Sequence, residues 1–348
     1  MSVAKKTLVL TALGLAAATV ISGCSILPGS ASHGNGPYPQ KIDSPYGSTT
    51  IKSEPKKIAV TSSIDLDIAI ALGADPVIAP AYSSTGANQK SGTKQESGTK
   101  QESGSKLDLS PWASDALDDA GMTAPDTYDA QKGPDLTAIK EAQPDVILAT
   151  GLDDAGSHFD ELSDIAPVVA AKDDATWTDR TAAIATALNQ AKNASAVVND
   201  VTQKTEDVAA HHLELEDTTY AVADVKKSSI DYLSYDGTDD SLFTGLGLLP
   251  DAAAKKYSSD KHSVTKSNVD DLDADILLIH FPAGGGGMLE KAELADPFYR
   301  EVKVIRGKHY SVLDDDSFNA LTNPSPLSDK WALDNLPEDL NKAEQGVS

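Results

Sequence analysis

The chain has 348 residues, one cysteine, and 53 acidic against 29 basic side chains, a net charge of −24. So acidic a surface repels phosphate backbones and anionic head groups and argues against a nucleic-acid partner. The single thiol excludes an intramolecular disulfide and a thiolate metal site, while the length suffices for two ordinary domains with cores of their own.

Lys5 and Lys6 precede an uncharged run from Thr7 to Ile21, short for a membrane span, and Ser22, Gly23 and Cys24 follow directly. This is the layout of a secretory signal over residues 1–23. Ile21-Ser22-Gly23-Cys24 resembles the bacterial lipobox, which makes Cys24 the lipid attachment point on the outer face of the cytoplasmic membrane. The competing reading, a spanning anchor with an incidental cysteine, is disfavoured by the short flanks. Residues 24–54 read as a tether and first strand region, with Gly, Pro and Ser dominating 25–46.

An N-terminal α/β lobe is expected over 55–177. "KKIAVTSS" reads as a buried strand, Ile64–Leu72 as a helix stopped by Gly73, "DPVIAPA" as a strand, and "DLTAIKEAQ" as a helix. "PDVILAT", "SHFDELSDI" and "APVVAA" continue the alternation as strand, helix and strand. Within this lobe a low-complexity loop spans 88–106, where "SGTKQE" repeats without any apolar residue that could bury a face. Residues 178–214 carry helical spacing (Ile184, Leu188 and Ala191, then Val197, Val201 and Val208), with a break expected at Asn193-Ala194-Ser195. They read as two bridging helices in series. A C-terminal α/β lobe over 215–348 follows, with strands at "TYAVADV", "DADILLIHF" and "HYSVLD" and a helix after Ser328. The expected fold class is therefore α/β: two lobes joined by a long helical linker, with a ligand cleft between them at the strand ends.

No G-x-S-x-G, phosphate-loop or H-E-x-x-H motif is present, so the chain reads as a binding protein rather than an enzyme. "AGGGG" at 283–287 lacks dinucleotide spacing and reads as a loop. "DDD" at 314–316 reads as a solvated turn, because calcium-loop spacing is absent. His280 closes a strand and reads as a structural histidine before a ligand. Aromatics are few, and Trp112, Trp177, Tyr232, Tyr235 and Phe281 fall in loops or at element ends, where such side chains line clefts.

Three stretches, "GPDLTAIKEAQPDVILAT" (133–150), "VDDLDADILLIHF" (269–281) and "NPSPLSDKWALDNL" (323–336), closely resemble the iron–siderophore substrate-binding lipoproteins of bacterial ABC importers. The resemblance runs from Lys56 to Leu340 apart from the repeat loop. It implies a ferric siderophore as ligand, an ABC importer permease as partner, and a membrane association through the lipid anchor. A monomer without nucleic-acid partners is expected. No cofactor or protein metal site is implied, since the iron arrives inside the siderophore. The family's two permease-docking glutamates match Thr137 and Ser267, both neutral here. Members that bind anionic ferric catecholates use cleft arginines, but this chain has only Arg180, Arg300 and Arg306, and of these Arg180 is the cleft candidate. Desolvating a multiply charged anion beside one cation is costly, so neutral or cationic ferric hydroxamates, or mixed siderophores, are favoured. The expected ligand-binding set is Trp112, Trp177, Arg180, Tyr232, Tyr235 and Phe281. The alternatives are haem on the same fold, coordinated by His158, Tyr235 or His280, and a cell-surface hydrolase of a siderophore ester.

Overall fold

The alternation of apolar strands with helices builds two sheets and a set of helices shared between them. The computed structural model describes residues 38–82, 108–226, 229–233, 242–258, 261–265, 267–282 and 302–347. The signal segment 1–23, Cys24, the whole repeat loop at 88–106, Tyr235, the 283–287 loop and Arg300 lie outside these residues.

The described chain begins with an antiparallel hairpin, β1 (Gln40–Ser44) and β2 (Gly47–Ile51), within the stretch read as tether and first strand region. Its strands dock on the lobe: Thr49 Oγ1 donates to the Val168 carbonyl, and Tyr38 Oη just before it donates to that of Ala187. The N-terminal lobe then alternates β3 (Ile58–Val60), α1 (Ser63–Ala71), β4 (Pro76–Pro80), α2 (Pro111–Ala120), β5 (Asp126–Tyr128), α3 (Leu136–Ala142), β6 (Val146–Ala149), α4 (Ala155–Ser163) and β7 (Val168–Ala170). Its five strands are parallel, in the order β5-β4-β3-β6-β7. Strands β3, β6 and β7 are short and apolar throughout, as expected where helices cover both faces, while the edge strand β5 begins with the exposed Asp126.

The linker consists of α5 (Trp177–Ala187) and α6 (Ala191–His211). The break falls at Leu188–Gln190 rather than at 193–195. Asn189 takes a left-handed backbone conformation, φ 55°, and the Gln190 N–H closes onto the Ala185 carbonyl, which stops the first helix. Asn193-Ala194-Ser195 lies inside the first turn and a half of α6. At 21 residues, α6 is about 30 Å long.

The C-terminal lobe comprises β8 (Thr219–Val225), β9 (Ile230–Tyr232), α7 (Leu242–Gly245), β10 (Leu249–Pro250), β11 (Ser263–Val264), β12 (Ile276–His280), α8 (Lys303–Arg306) and β13 (Tyr310–Leu313). Its six-stranded sheet runs β11-β9-β8-β12-β13, with β10 also on β8; β8, β12 and β13 are parallel, and β9 and β11 turn antiparallel at the edge. Three helices close the chain: α9 (Asp315–Thr322), α10 (Pro326–Asn335) and α11 (Pro337–Gln345). The helix expected after Ser328 begins earlier, because Ser325 caps it, Pro326 opens it, and Ser325 and Ser328 complete a reciprocal capping box. Nor is 314–316 a solvated turn: Asp314 caps α9, and the next two acids lie in its first turn.

One hydrophobic core runs through both lobes. It takes Ile58, Val60 and Leu148 from the first sheet, Val222, Ile276 and Leu278 from the second, and joins them through α1, α5 and α9–α11. Helix α10 is the centre of this seam, packed on α1 and α2 of the N-terminal lobe, on the linker helix α6, and on α9. Trp331 of α10 meets Trp112 of α2 with ring centroids 5.7 Å apart. On its outer side, Lys330 pairs with Asp200 and Asp334 with Lys204 of α6. Among the described residues no helix is long and apolar enough to cross a membrane.

Candidate ligand cleft

In an open parallel sheet, ligands bind beyond the carboxyl ends of the strands, where the strand order reverses. The reversal lies between β3 and β6 in the first sheet and between β8 and β12 in the second. Both crevices are closed by buried acidic side chains.

In the first, Asp65 in the opening turn of α1 reaches across from β3 to β6. Its carboxylate accepts from the Thr150 backbone N–H (3.0 Å) and hydroxyl (2.5 Å), from Gly151 N–H (3.3 Å), and from Ser62 Oγ (2.7 Å). Burial pushes the Asp65 carboxyl up; the hydrogen bonds from Thr150 and Ser62, and the Arg180 charge, pull it back. Position 151 must be glycine, since a Cβ there would stand 2.4 Å from Ser62 Oγ.

In the second crevice, Asp224 near the end of β8 is paired in register with His280 at the end of β12. His280 Nδ1 stands 2.8 Å from Asp224, and Nε2 stands 2.8 Å from Asp315 at the start of α9. Both ring nitrogens face carboxylate oxygens, so the ring is gripped from two sides. The ring is 2% exposed and stacks on Phe318 at 3.8 Å. Lys226, the residue after β8, is held between Asp231 (2.7 Å) and Asp224 (3.4 Å). Burial lowers its ammonium, but the two carboxylates outweigh that and raise it.

The two strand ends meet at Tyr82, just beyond β4. Its hydroxyl donates to Asp316 of α9 at 2.7 Å and accepts from Asn319 Nδ2 at 3.1 Å. The Tyr82 N–H bonds the Asp108 carbonyl, which brings together the two ends of the segment that holds the repeat. Burial, then the Asp316 contact, pushes the Tyr82 hydroxyl upward.

The expected ligand-binding set does not converge. Trp112 is 4% exposed in the seam, its indole N–H bound to Asp67. Tyr232 (2%) and Phe281 (5%) are buried in the separate core on the other face of the second sheet, where Tyr232 stacks on Tyr257. Their rings pack against Ile230, Leu272 and Ile279 in that core. Trp177, the first residue of α5, is 6% exposed, and its indole N–H has no partner among the described residues. Arg180 alone stays beside a crevice: it acts on Asp65, and its guanidinium donates to the carbonyls of Ala175 (3.0 Å) and Asp173 (3.2 Å). Thr137 is exposed in the first turn of α3, and Ser267 is exposed beside Thr265. His280 has no nitrogen left for haem iron. His158 is partly exposed near Glu161.

Asp65, Thr150, Asp224, Lys226 and Asp315 were missed as site residues. The available signal was an ionisable residue inside or ending an apolar run, in "SIDLDIAIA", "TYAVADV" and "ILLIH", since a charge so placed needs a partner.

The family profile of periplasmic binding proteins matches residues 58–316, which contain both crevices. The chain belongs to that family. Solved structures with the same architecture include a periplasmic solute binding protein from Mycobacterium smegmatis (20% identity, TM-score 0.69, covering 88% of this chain and 98% of that one). Another is Streptococcus pneumoniae PiaA in complex with ferrichrome (21%, TM-score 0.70, 88% and 99%). A third is Staphylococcus aureus SirA complexed with staphyloferrin B (20%, TM-score 0.66, 86% and 98%). Among curated protein sequences no match is found. For a periplasmic binding protein, the paired crevices are where the fold places its ligand.

Proposed function

We propose that this periplasmic binding protein captures a ferric siderophore of neutral or positive charge, of hydroxamate or mixed type, and delivers it to an ABC importer while a lipid on Cys24 holds it at the outer face of the membrane. The reading is supported by family membership and by neighbours of the same fold, two of which hold ferrichrome and staphyloferrin B. The charge preference rests on one observation: the cations at the two crevices are already engaged. Lys226 lies between Asp224 and Asp231, the His280 ring between Asp224 and Asp315, and Arg180 on backbone carbonyls. An incoming anion would meet carboxylates with no free cation among the described crevice residues, and desolvating it there is unfavourable. A neutral ferric trihydroxamate loses little on entry, and a pendant ammonium gains.

Isothermal titration of the purified protein against three ferric chelates tests this: a neutral trihydroxamate, a trihydroxamate with a free amine, and a tricatecholate. The first two are expected to bind, and the tricatecholate to bind at least roughly a hundredfold more weakly, a gap of about 3 kcal/mol. Preference for the tricatecholate, or binding of haem alone, would overturn the reading. Cys24→Ala is expected to abolish incorporation of labelled fatty acid.

A further inference from the structure

Asp67 sits two residues beyond Asp65 on α1 and so faces nearly the opposite side of the helix. There it meets the seam between the lobes. The residue is 1% exposed, and one carboxyl oxygen, Oδ2, receives both available donors: Trp112 Nε1 at 2.7 Å and Ser325 Oγ at 2.6 Å. Trp112 belongs to α2 of the N-terminal lobe, and Ser325 caps α10, which follows the C-terminal sheet. The other oxygen, Oδ1, is buried with no partner among the described residues.

The elements packed against α1 bring no countercharge to it. From α5, Arg180 acts on Asp65, and Asp179 is exposed at that helix's start. On α2, Asp115, Asp118 and Asp119 are exposed. Helix α10 contributes Lys330, paired with Asp200, the buried Asp329, and Asp334, paired with Lys204. Neither β3 nor β4 carries an ionisable side chain. Only Ser325 and Trp112 bear on the carboxyl.

We propose that Asp67 is carried in the folded protein as a neutral carboxylic acid bridging the two lobes, and that loss of its proton to solvent loosens the seam. In the acid form Oδ2 is a carbonyl oxygen that accepts from Trp112 and Ser325, and the proton resides on Oδ1. In the ionised form a full charge would rest on one hydroxyl and one indole N–H, in surroundings built from the shared core. The contrast with Asp65 is direct, since that carboxyl has donors on both oxygens and a guanidinium nearby. Burial pushes the Asp67 carboxyl up to about 7, against hydrogen bonds from Ser325 and Trp112 that hold it lower. Because the folded value lies above the ordinary aspartate value, the folded state binds the proton more tightly. This group's contribution to stability is therefore complete below about pH 4 and is lost as pH rises through about 7. The seam is thus tighter in acid than in base, whatever the cleft binds.

Asp67→Asn tests the proposal, because an amide reproduces the acceptor and the donor of the neutral acid but cannot ionise. Equilibrium unfolding in urea is compared with wild type across the range from about pH 5 to about pH 8. Near the acid end the gap between the two proteins is expected to be smallest, and it widens as pH rises toward about 7. Near the basic end the folding equilibrium constant of the variant is expected to exceed wild type by roughly tenfold or more. A difference independent of pH, or a variant that is worse in base, would overturn the proposal. A second measurement does not depend on that variant folding. Carbon-13 NMR of aspartate-labelled wild type should show a carboxyl titrating near neutrality, and in Ser325→Ala its midpoint should move upward, since the Ser325 hydrogen bond lowers it. If every aspartate carboxyl titrates in the ordinary acid range, Asp67 is ionised and the proposal fails.

Discussion

At the N-terminal crevice, Asp65 draws its hydrogen bonds from Thr150, Gly151 and Ser62, all of them neutral groups. At the C-terminal crevice, Asp224 faces an imidazole that Asp315 grips from the other side, and Lys226 is added to the same carboxylate. The topology is the same: two adjacent parallel strands part, and a polar contact ties their ends. The electrostatics differ. Backbone N–H groups and hydroxyls keep their protons at any ordinary pH, whereas the second crevice sets a lysine ammonium and an imidazole against three aspartates. Removing a member of the first set leaves neutral donors unpaired; removing His280 leaves buried charges facing each other.

The largest effect is therefore expected for His280→Ala. It removes the ring that both Asp224 and Asp315 contact, and breaking a buried pair by removing one partner costs about 3–5 kcal/mol. Chemical denaturation of the purified variant measures it. Asp65→Ala comes next, because it orphans the Thr150 and Gly151 N–H groups, each unsatisfied buried group costing about 1–3 kcal/mol. If Asp65→Ala proved more damaging than His280→Ala, the contrast drawn between neutral and charged crevices would be broken. Ser325→Ala removes a helix cap and one bond across the seam, a loss of about 1–2 kcal/mol, without affecting either crevice. The smallest stability change is expected for Lys226→Gln, below about 1 kcal/mol because the ammonium is partly solvated. It sharpens the comparison instead through ligand choice: with Asp224 and Asp231 released, affinity for an amine-bearing ferric chelate should rise relative to a neutral one, as read by calorimetry.

The two-lobe plan was legible because its signals are local. Apolar runs such as "PDVILAT" and "DADILLIHF" are too short for helices, and the turns between them stop each element. The break was misplaced because Asn189 and Asn193 offer the same local signal, an asparagine that tolerates the left-handed region at a helix end, and only Asn189 adopts it. The aromatic residues were misplaced for a related reason. An indole at an element end lines a cleft or fills a core depending on what packs above it, and for Trp112 that is Trp331, more than two hundred positions along the chain. The same distance hid the meaning of "NPSPLSDKWALDNL". Its Ser325, Ser328, Lys330, Trp331 and Asp334 build the seam and its ties to the linker helix rather than a binding surface. The crevice carboxylates were visible as charges in apolar runs, but the partners that tie one element to the next are 35 to 86 positions away and no local pattern joins them.

On the proposed function, one ligand lies against both crevices at once. Amide hydrogen exchange, with and without a saturating neutral ferric trihydroxamate, tests it most directly. Protection is expected together at Thr61–Asp65 and Thr150–Gly151 in the first lobe and at Asp224–Lys226 and His280–Phe281 in the second. Protection confined to one lobe, or to the outer groove between α5 and α6 lined by Ala182, Ala194 and Val198, would contradict it.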